Sequence, residues 1–246
     1  MNTLQAELRR LYLVDDTNSQ DPDGDAPRMM MTVDGRVRAM VLELARPADW
    51  NVLATVWQGV QADLALPAPA IAVSGVDGFQ LWFSLAESIS VSHAQVFLAS
   101  LRVRYLSAVA PARISLLPSA THHASMVPAE QPGTGLWSAF VAPDLAPIFS
   151  DGPWLDVCPS PEAQAHVLSR LACIKPETFQ AVMDRFGNTT VPTTGLANGK
   201  RDAHPAVAPL HAESFNSRQF LHAIMNDPAI ELHLRIEAAK ALLPYC

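Results

Sequence analysis

Residues at spacings that could do chemistry are few in this chain, and most of those that catch the eye lack a partner. Of the eight histidines, only His122-His123 are clustered, and adjacent residues do not share a helix face. No HExxH and no Cys/His spacing supports zinc, so the pair reads as part of an exposed loop. The acidic run DDTNSQDPDGDAP resembles a calcium loop in composition only. With Gly24 at the invariant glycine place, Ser19 would be the first ligand and Met30 the last, where a Glu is needed. No GxSxG elbow, GxxxxGK[ST] or GxGxxG is present, which leaves serine hydrolase, P-loop and dinucleotide chemistry without a motif. Asp144, Asp151 and Asp156 read as solvated loop acids. The cysteines Cys158, Cys173 and Cys246 are odd in number and lack CxxC spacing, as expected for free thiols in a reducing compartment. Cys173 reads as a core residue of an apolar helix.

One stretch, Val41–Leu85, has more order. VLELARPADW is followed by a helix with Trp50, Leu53, Trp57, Val60 and Leu64 at spacings of three and four, which gives a single apolar face. Pro47 suits its first turn. IAVSGVDGFQLWFSL then reads as strand, glycine turn and strand. Taken alone, SGVDG is a hairpin turn whose glycines supply φ > 0, Glu43 lies on a solvent-facing sheet edge, and Trp82 and Phe83 point to opposite faces.

The flanking elements complete a pattern. TLQAELRRLYLV predicts a helix with Leu4, Leu8 and Leu11 on one side. RMMMTV and RVRAMVLELA around Asp34-Gly35 predict a hairpin. Ser90 or Ser92 can cap a helix with Ala94, Phe97, Leu101 and Tyr105 on one face, and ARISLLP follows as a strand. The order from Arg28 to Pro118 is therefore ββαββαβ, an α+β arrangement with helices packed on a ferredoxin-like sheet. Residues 1–118 are expected to form this domain and 119–186 an irregular and helical extension. A linker over 187–211 and a helical hairpin over 212–246 then make the C-terminal region mostly helical. Trp137 and Trp154 are the expected anchors of the Pro-rich extension.

Val41–Leu85 resembles the catalytic core of the archaeo-eukaryotic primase superfamily. In that family a strand carries D-x-D, a helix follows, and a strand–turn–strand carries S-G-x-x-G-x-H, with a further Asp from a later strand. The carboxylates hold divalent metals that bridge nucleotide phosphates, while the turn amides and the His meet the triphosphate. The resemblance sets Glu43 and Ala45 at the D-x-D pair, Ser74, Gly75 and Gly78 at the turn, and Gln80 at the His. The strand ARISLLP would carry the third carboxylate and has none. The frame is kept and most catalysts are lost, which implies a degenerate, non-catalytic primase–polymerase-like protein that binds nucleic acid or nucleotide. Glu43 is the one position for a divalent metal, and Arg36, Arg38 and Arg46 would add positive charge. An active nucleotidyltransferase using unrecognised carboxylates is the alternative within this family. The C-terminal FLHAIMNDPAIELHLRIEAAKALLPY is similar to helical pairs of bacteriophage-type proteins. That implies a bacterial mobile-element or prophage accessory, or an interaction module that binds a protein partner through residues 212–246.

Composition is compatible with these expectations. The chain has 246 residues, 49% of them hydrophobic and 17% charged, enough apolar material for a core. MNTLQAELRR lacks the pattern of a secretory signal and no run reaches the ~18 apolar residues of a membrane span, so the cytoplasm is the expected compartment and no membrane a partner. The net charge of −7 disfavours broad nucleic-acid binding. Between Arg28 and Arg113, however, seven Arg face six acids, so that segment is close to neutral.

Overall fold

A computed structural model of the chain describes residues 3–14 and 29–189. Of the linker expected over 187–211, residues 187–189 instead end a helix and the rest lies outside the described residues, as do the hairpin over 212–246 and the acidic run over 15–27. No helix among the described residues is long and apolar enough to cross a membrane.

The first helix, α1 (Thr3–Leu11), buries Leu4, Leu8 and Leu11, as its periodicity predicts. From Arg36 the chain runs β1 (Arg36–Ala45), α2 (Trp50–Ala62), β2 (Ala70–Val73), β3 (Gly78–Ser90), α3 (Val91–Tyr105) and β4 (Ile114–Leu117). A short β5 (Ala139–Val141) and two further helices, α4 (Pro161–Ser169) and α5 (Pro176–Thr189), follow. The strands form one sheet in the order β4-β1-β3-β2-β5, with every neighbouring pair antiparallel. The molecule is thus a mixed α+β fold.

Local chemistry explains the helix starts. The Asp49 carboxylate accepts from the Val52 N–H at the N-terminus of α2, and the Ser90 hydroxyl accepts from the His93 N–H at that of α3. Ser160, with Pro161 behind it, does the same for α4. Each such cap stabilises its helix by about 1 kcal/mol.

Side chains alternate across the sheet, so β1 and β3 each feed two cores. Met40, Leu42, Leu44, Ile71, Val73, Phe79, Leu81 and Phe83 face a core that takes in Leu53, Val56 and Val60 of α2, Phe97 and Leu101 of α3, and Phe179 of α5. Ala39, Val41, Ala70, Ala72, Trp82 and Phe140 face the other, with Leu4, Leu8 and Leu11 of α1 and Leu168 of α4. A sheet covered on both sides explains why β1 and β3 read as long apolar runs rather than as clean alternation.

Two arginines tie down the second layer. Arg10 donates to Leu168 O (3.0 Å) in the last turn of α4 and to Leu171 O (2.9 Å) just beyond it. Arg38 donates to Arg10 O (2.8 Å), Leu13 O (3.2 Å) and Arg9 O (3.4 Å) at the end of α1, and to Leu85 O (3.0 Å) of β3. Helix C-termini leave carbonyls without intrahelical partners and carry partial negative charge, which a guanidinium matches.

Several expectations need correction. RMMMTV is not a strand: residues 29–33 make only single bridges, Val14 to Met29 and Met31 to Val37. The register of β1 shifts between Val37 and Ala39, and an irregularity there interrupts a ladder. Asp34-Gly35 still turns, with Gly35 at φ 71°. Pro47 precedes the Asp49 cap instead of entering α2, and its peptide bond with Arg46 is cis. Cys173 lies half-buried between α4 and α5, not in a helix.

Candidate ligand-binding cleft

Glu43 and Gln80 face each other across β1 and β3, on the same side of the sheet as Trp82. The Trp82 indole N–H donates to Gln80 Oε1 (2.9 Å), and Gln80 Nε2 donates to Glu43 Oε2 (2.8 Å). A carboxylate only accepts and an indole only donates, so this relay fixes which end of the Gln80 amide is which. Gln80 is buried and Glu43 half-buried. β1 is an inner strand, so Glu43 does not lie on a sheet edge. Both line a cleft of about 500 Å³ with Arg46, Ser74, Asp77 and His123 on its walls.

The SGVDG turn forms one wall, and its backbone is closed on itself. The Ser74 hydroxyl accepts from the N–H groups of Val76 (3.2 Å), Asp77 (3.2 Å) and Gly78 (3.0 Å). Ser74 N–H goes to Gly78 O and Gly75 N–H to Pro153 O. A phosphate cradle needs free amide donors, and here all five turn amides already have acceptors. The two glycines serve space. Gly75 sits at φ 81°, and a Cβ there would lie 2.8 Å from the Ser138 backbone nitrogen. A Cβ on Gly78 would lie 3.1 Å from Glu43 Oε1, so this glycine makes room for the carboxylate.

Of the three arginines expected at the site, the fold brings one there. Arg46 is at the cleft, in the left-handed backbone region at φ 53°, and pairs with Asp77 at 3.4 Å with its side chain 74% exposed. Arg36 and Arg38 stand seven and five residues away along β1, roughly 23 and 17 Å at about 3.3 Å per residue. Arg36 donates to the hydroxyl and carbonyl of Ser88, and Arg38 clamps α1.

Glu43 is the only carboxylate in its row of the sheet. Ser115 stands opposite it on β4, Ala72 lies beyond Gln80 on β2, and Ala45 is paired with Gly78. Asp77, at the rim, acts electrostatically on Glu43 but is committed to Arg46. Among the described residues no group of three or more His, Cys, Asp or Glu is placed to hold a metal ion. Two-metal phosphoryl transfer needs several fixed acidic ligands, and Glu43 with Asp77 falls short of that set.

His123 is a further residue whose place differs from the expectation of an exposed loop pair. His122 is exposed, but His123 packs into the cleft wall. Its Nδ1 accepts from the Ala124 N–H (2.7 Å), and its Nε2 lies 3.0 Å from Ala39 O. The ring is therefore neutral with its proton on Nε2, and burial holds its pKa below the ordinary histidine value. No periodic signal marks position 123. Its register comes from docking of the Pro-rich loop on β1.

Burial raises the pKa of Glu43 above its usual 4.5, against the Gln80 hydrogen bond that lowers it. The folded state thus binds its proton more tightly than the unfolded state. Stability tied to this group is full below the ordinary carboxylate pKa, falls as pH rises toward the raised value, and stays reduced above it. Glu43→Gln should remove that fall. Urea denaturation of both proteins from about pH 4 to pH 7 checks this, and the expected result is a flatter profile for the variant. Parallel profiles would mean that Glu43 titrates normally.

No protein-family model matches the chain, and no curated protein matches it.

Proposed function

We propose that this protein is a non-catalytic member of the primase–polymerase-like fold, and that it binds a nucleotide or single-stranded nucleic acid in the Glu43–Gln80 cleft. One observation carries the reading. The two positions that the resemblance sets at a metal carboxylate and a phosphate-facing His are hydrogen-bonded to each other in a single cleft, beside the glycine turn. The β4-β1-β3-β2 order supports it, because it is the split βαβ arrangement of ferredoxin-like sheets, extended here by β5. Ala45 and Ser115 at the flanking positions argue for binding without phosphoryl transfer.

With Arg46 the one Lys or Arg lining the cleft among the described residues, the salt dependence is expected to be shallow. Each neutralised phosphate of a single strand contributes a slope of about −0.7 in log K against log salt, so a slope near one such step is expected. Fluorescence anisotropy with a labelled single-stranded oligonucleotide, and calorimetry with nucleotides, at low salt test the proposal. Binding that Arg46→Ala weakens about three-fold or more supports it. Absence of binding to oligonucleotide and nucleotides alike overturns it.

A further inference from the structure

We infer that the cleft reads the hydrogen-bonding edge of a guanine base rather than the phosphates. This rests on the nucleotide-binding reading and names the part of the ligand that the cleft is built for.

The phosphate end is poorly served. Every amide of the SGVDG turn has an acceptor, and Arg46, the one Lys or Arg lining the cleft among the described residues, is exposed and already paired with Asp77. The floor is different. Gln80 Nε2 has two hydrogens and gives one to Glu43, while the other has no acceptor among the described residues. Glu43 Oε2 accepts that one bond, and Oε1 accepts none among the described residues. The Trp82 indole holds Gln80 Oε1, so the amide cannot flip to offer its oxygen instead. Both side chains line the cleft, so its floor offers one spare donor on Gln80 Nε2 and the remaining acceptor capacity of the Glu43 carboxylate, whose Oε2 is shared with Gln80 and whose Oε1 lies beside Gly78.

Guanine carries the complement on one edge: an acceptor, O6, followed by two donors, N1–H and the N2 amino group. Inosine's base keeps O6 and N1–H and lacks the amino group. Adenine offers one acceptor, N1, and one donor, its amino group, and leaves a carboxylate oxygen unmatched. Cytosine carries two acceptors, O2 and N3, beside a single amino donor, so it either sets N3 against a carboxylate oxygen or leaves one carboxylate oxygen unmatched. Uracil sets a carbonyl oxygen against the second carboxylate oxygen, and the two repel. Sites built to hydrogen-bond a ligand group reject analogues that lack it, because desolvated polar atoms are left unpaired. Enzymes that take a base out of its stack read it through this same edge. A cleft of about 500 Å³ is of a size for a nucleoside.

The test is calorimetric titration of the full chain with the 5′-monophosphates of guanosine, inosine, adenosine, cytidine and uridine, which share one phosphate group. The expected order puts the guanosine nucleotide tightest and the inosine nucleotide about ten-fold weaker. The uridine nucleotide is expected to be weakest. Glu43→Gln keeps the shape and replaces one carboxylate oxygen by a donor, so the guanosine preference should drop about ten-fold or more, with retained thermal unfolding showing that the variant is folded. Equal binding of all five nucleotides, or a guanosine preference that survives Glu43→Gln, overturns the base reading and leaves nucleotide binding standing. Failure of all five to bind overturns the base reading, and if the single-stranded oligonucleotide also fails to bind, the binding reading falls with it.

Discussion

Trp82→Ala should lower folding stability by about 3–5 kcal/mol, measured by urea denaturation at neutral pH. Trp82 is 1% exposed on the inner strand β3, under α1 and α4. Its ring meets Tyr12 edge-on at 5.2 Å and Phe140 at 5.7 Å, so truncation opens a cavity lined by aromatic faces. Part of the effect is polar and can be separated. Trp82→Phe keeps most of the volume and removes the indole donor, which leaves Gln80 Oε1 buried without a partner, at about 1–3 kcal/mol. It also frees the Gln80 amide to rotate. A folded Trp82→Phe protein should therefore bind nucleotide more weakly than the wild type. Equal affinity would mean that the indole does not set the orientation of Gln80.

Arg38→Ala should cost about 2–4 kcal/mol. Four carbonyl oxygens accept from this one guanidinium, three of them at the end of α1, and alanine removes that donor from all four, with the weak Cys173 thiol contact at 3.7 Å remaining on Arg10 O. Arg38→Lys should recover little of the loss, because a single ammonium lacks the planar fork that spans several acceptors. At temperatures where the variant is folded, nucleotide affinity should equal that of the wild type, since Arg38 stands far along β1 from Glu43. Loss of affinity without loss of stability would return Arg38 to the ligand-binding role that its charge suggests in the sequence.

That reassignment shows where sequence reasoning reached and where it stopped. The alternation of β1–α2–β2–β3–α3–β4 was legible because each element has its own local signal: the Trp50–Val60 periodicity, the SGVDG turn, the Ser90 cap. The row that joins Glu43 to Gln80 was legible only through the spacing of the S-G-x-x-G-x-H resemblance, since strand register depends on residues far apart in the chain. β5 is three residues long and owes its form to pairing with β2, which no local pattern encodes. RMMMTV erred in the other direction, because a strand-like composition beside a DG turn says nothing about a register shift at Arg38. An arginine count likewise cannot tell a guanidinium that meets ligand from one that closes a helix end. The closed turn amides were hidden for a related reason: SGxxG marks a backbone able to cradle phosphate, but whether Ser74 fills that cradle itself depends on its rotamer.

The most direct measurement is nuclear magnetic resonance of the uniformly nitrogen-15-labelled chain during titration with guanosine monophosphate. The Gln80 side-chain amide and the Trp82 indole N–H are linked through Gln80 Oε1, and each gives its own resonance. Ligand in the cleft should move the Gln80 amide most and the Trp82 indole with it, while the Arg36 and Arg38 side-chain signals hold still. Binding that leaves both the Gln80 and Trp82 resonances in place, or shifts that gather along residues 36–38 instead, would contradict a nucleotide site at Glu43 and Gln80.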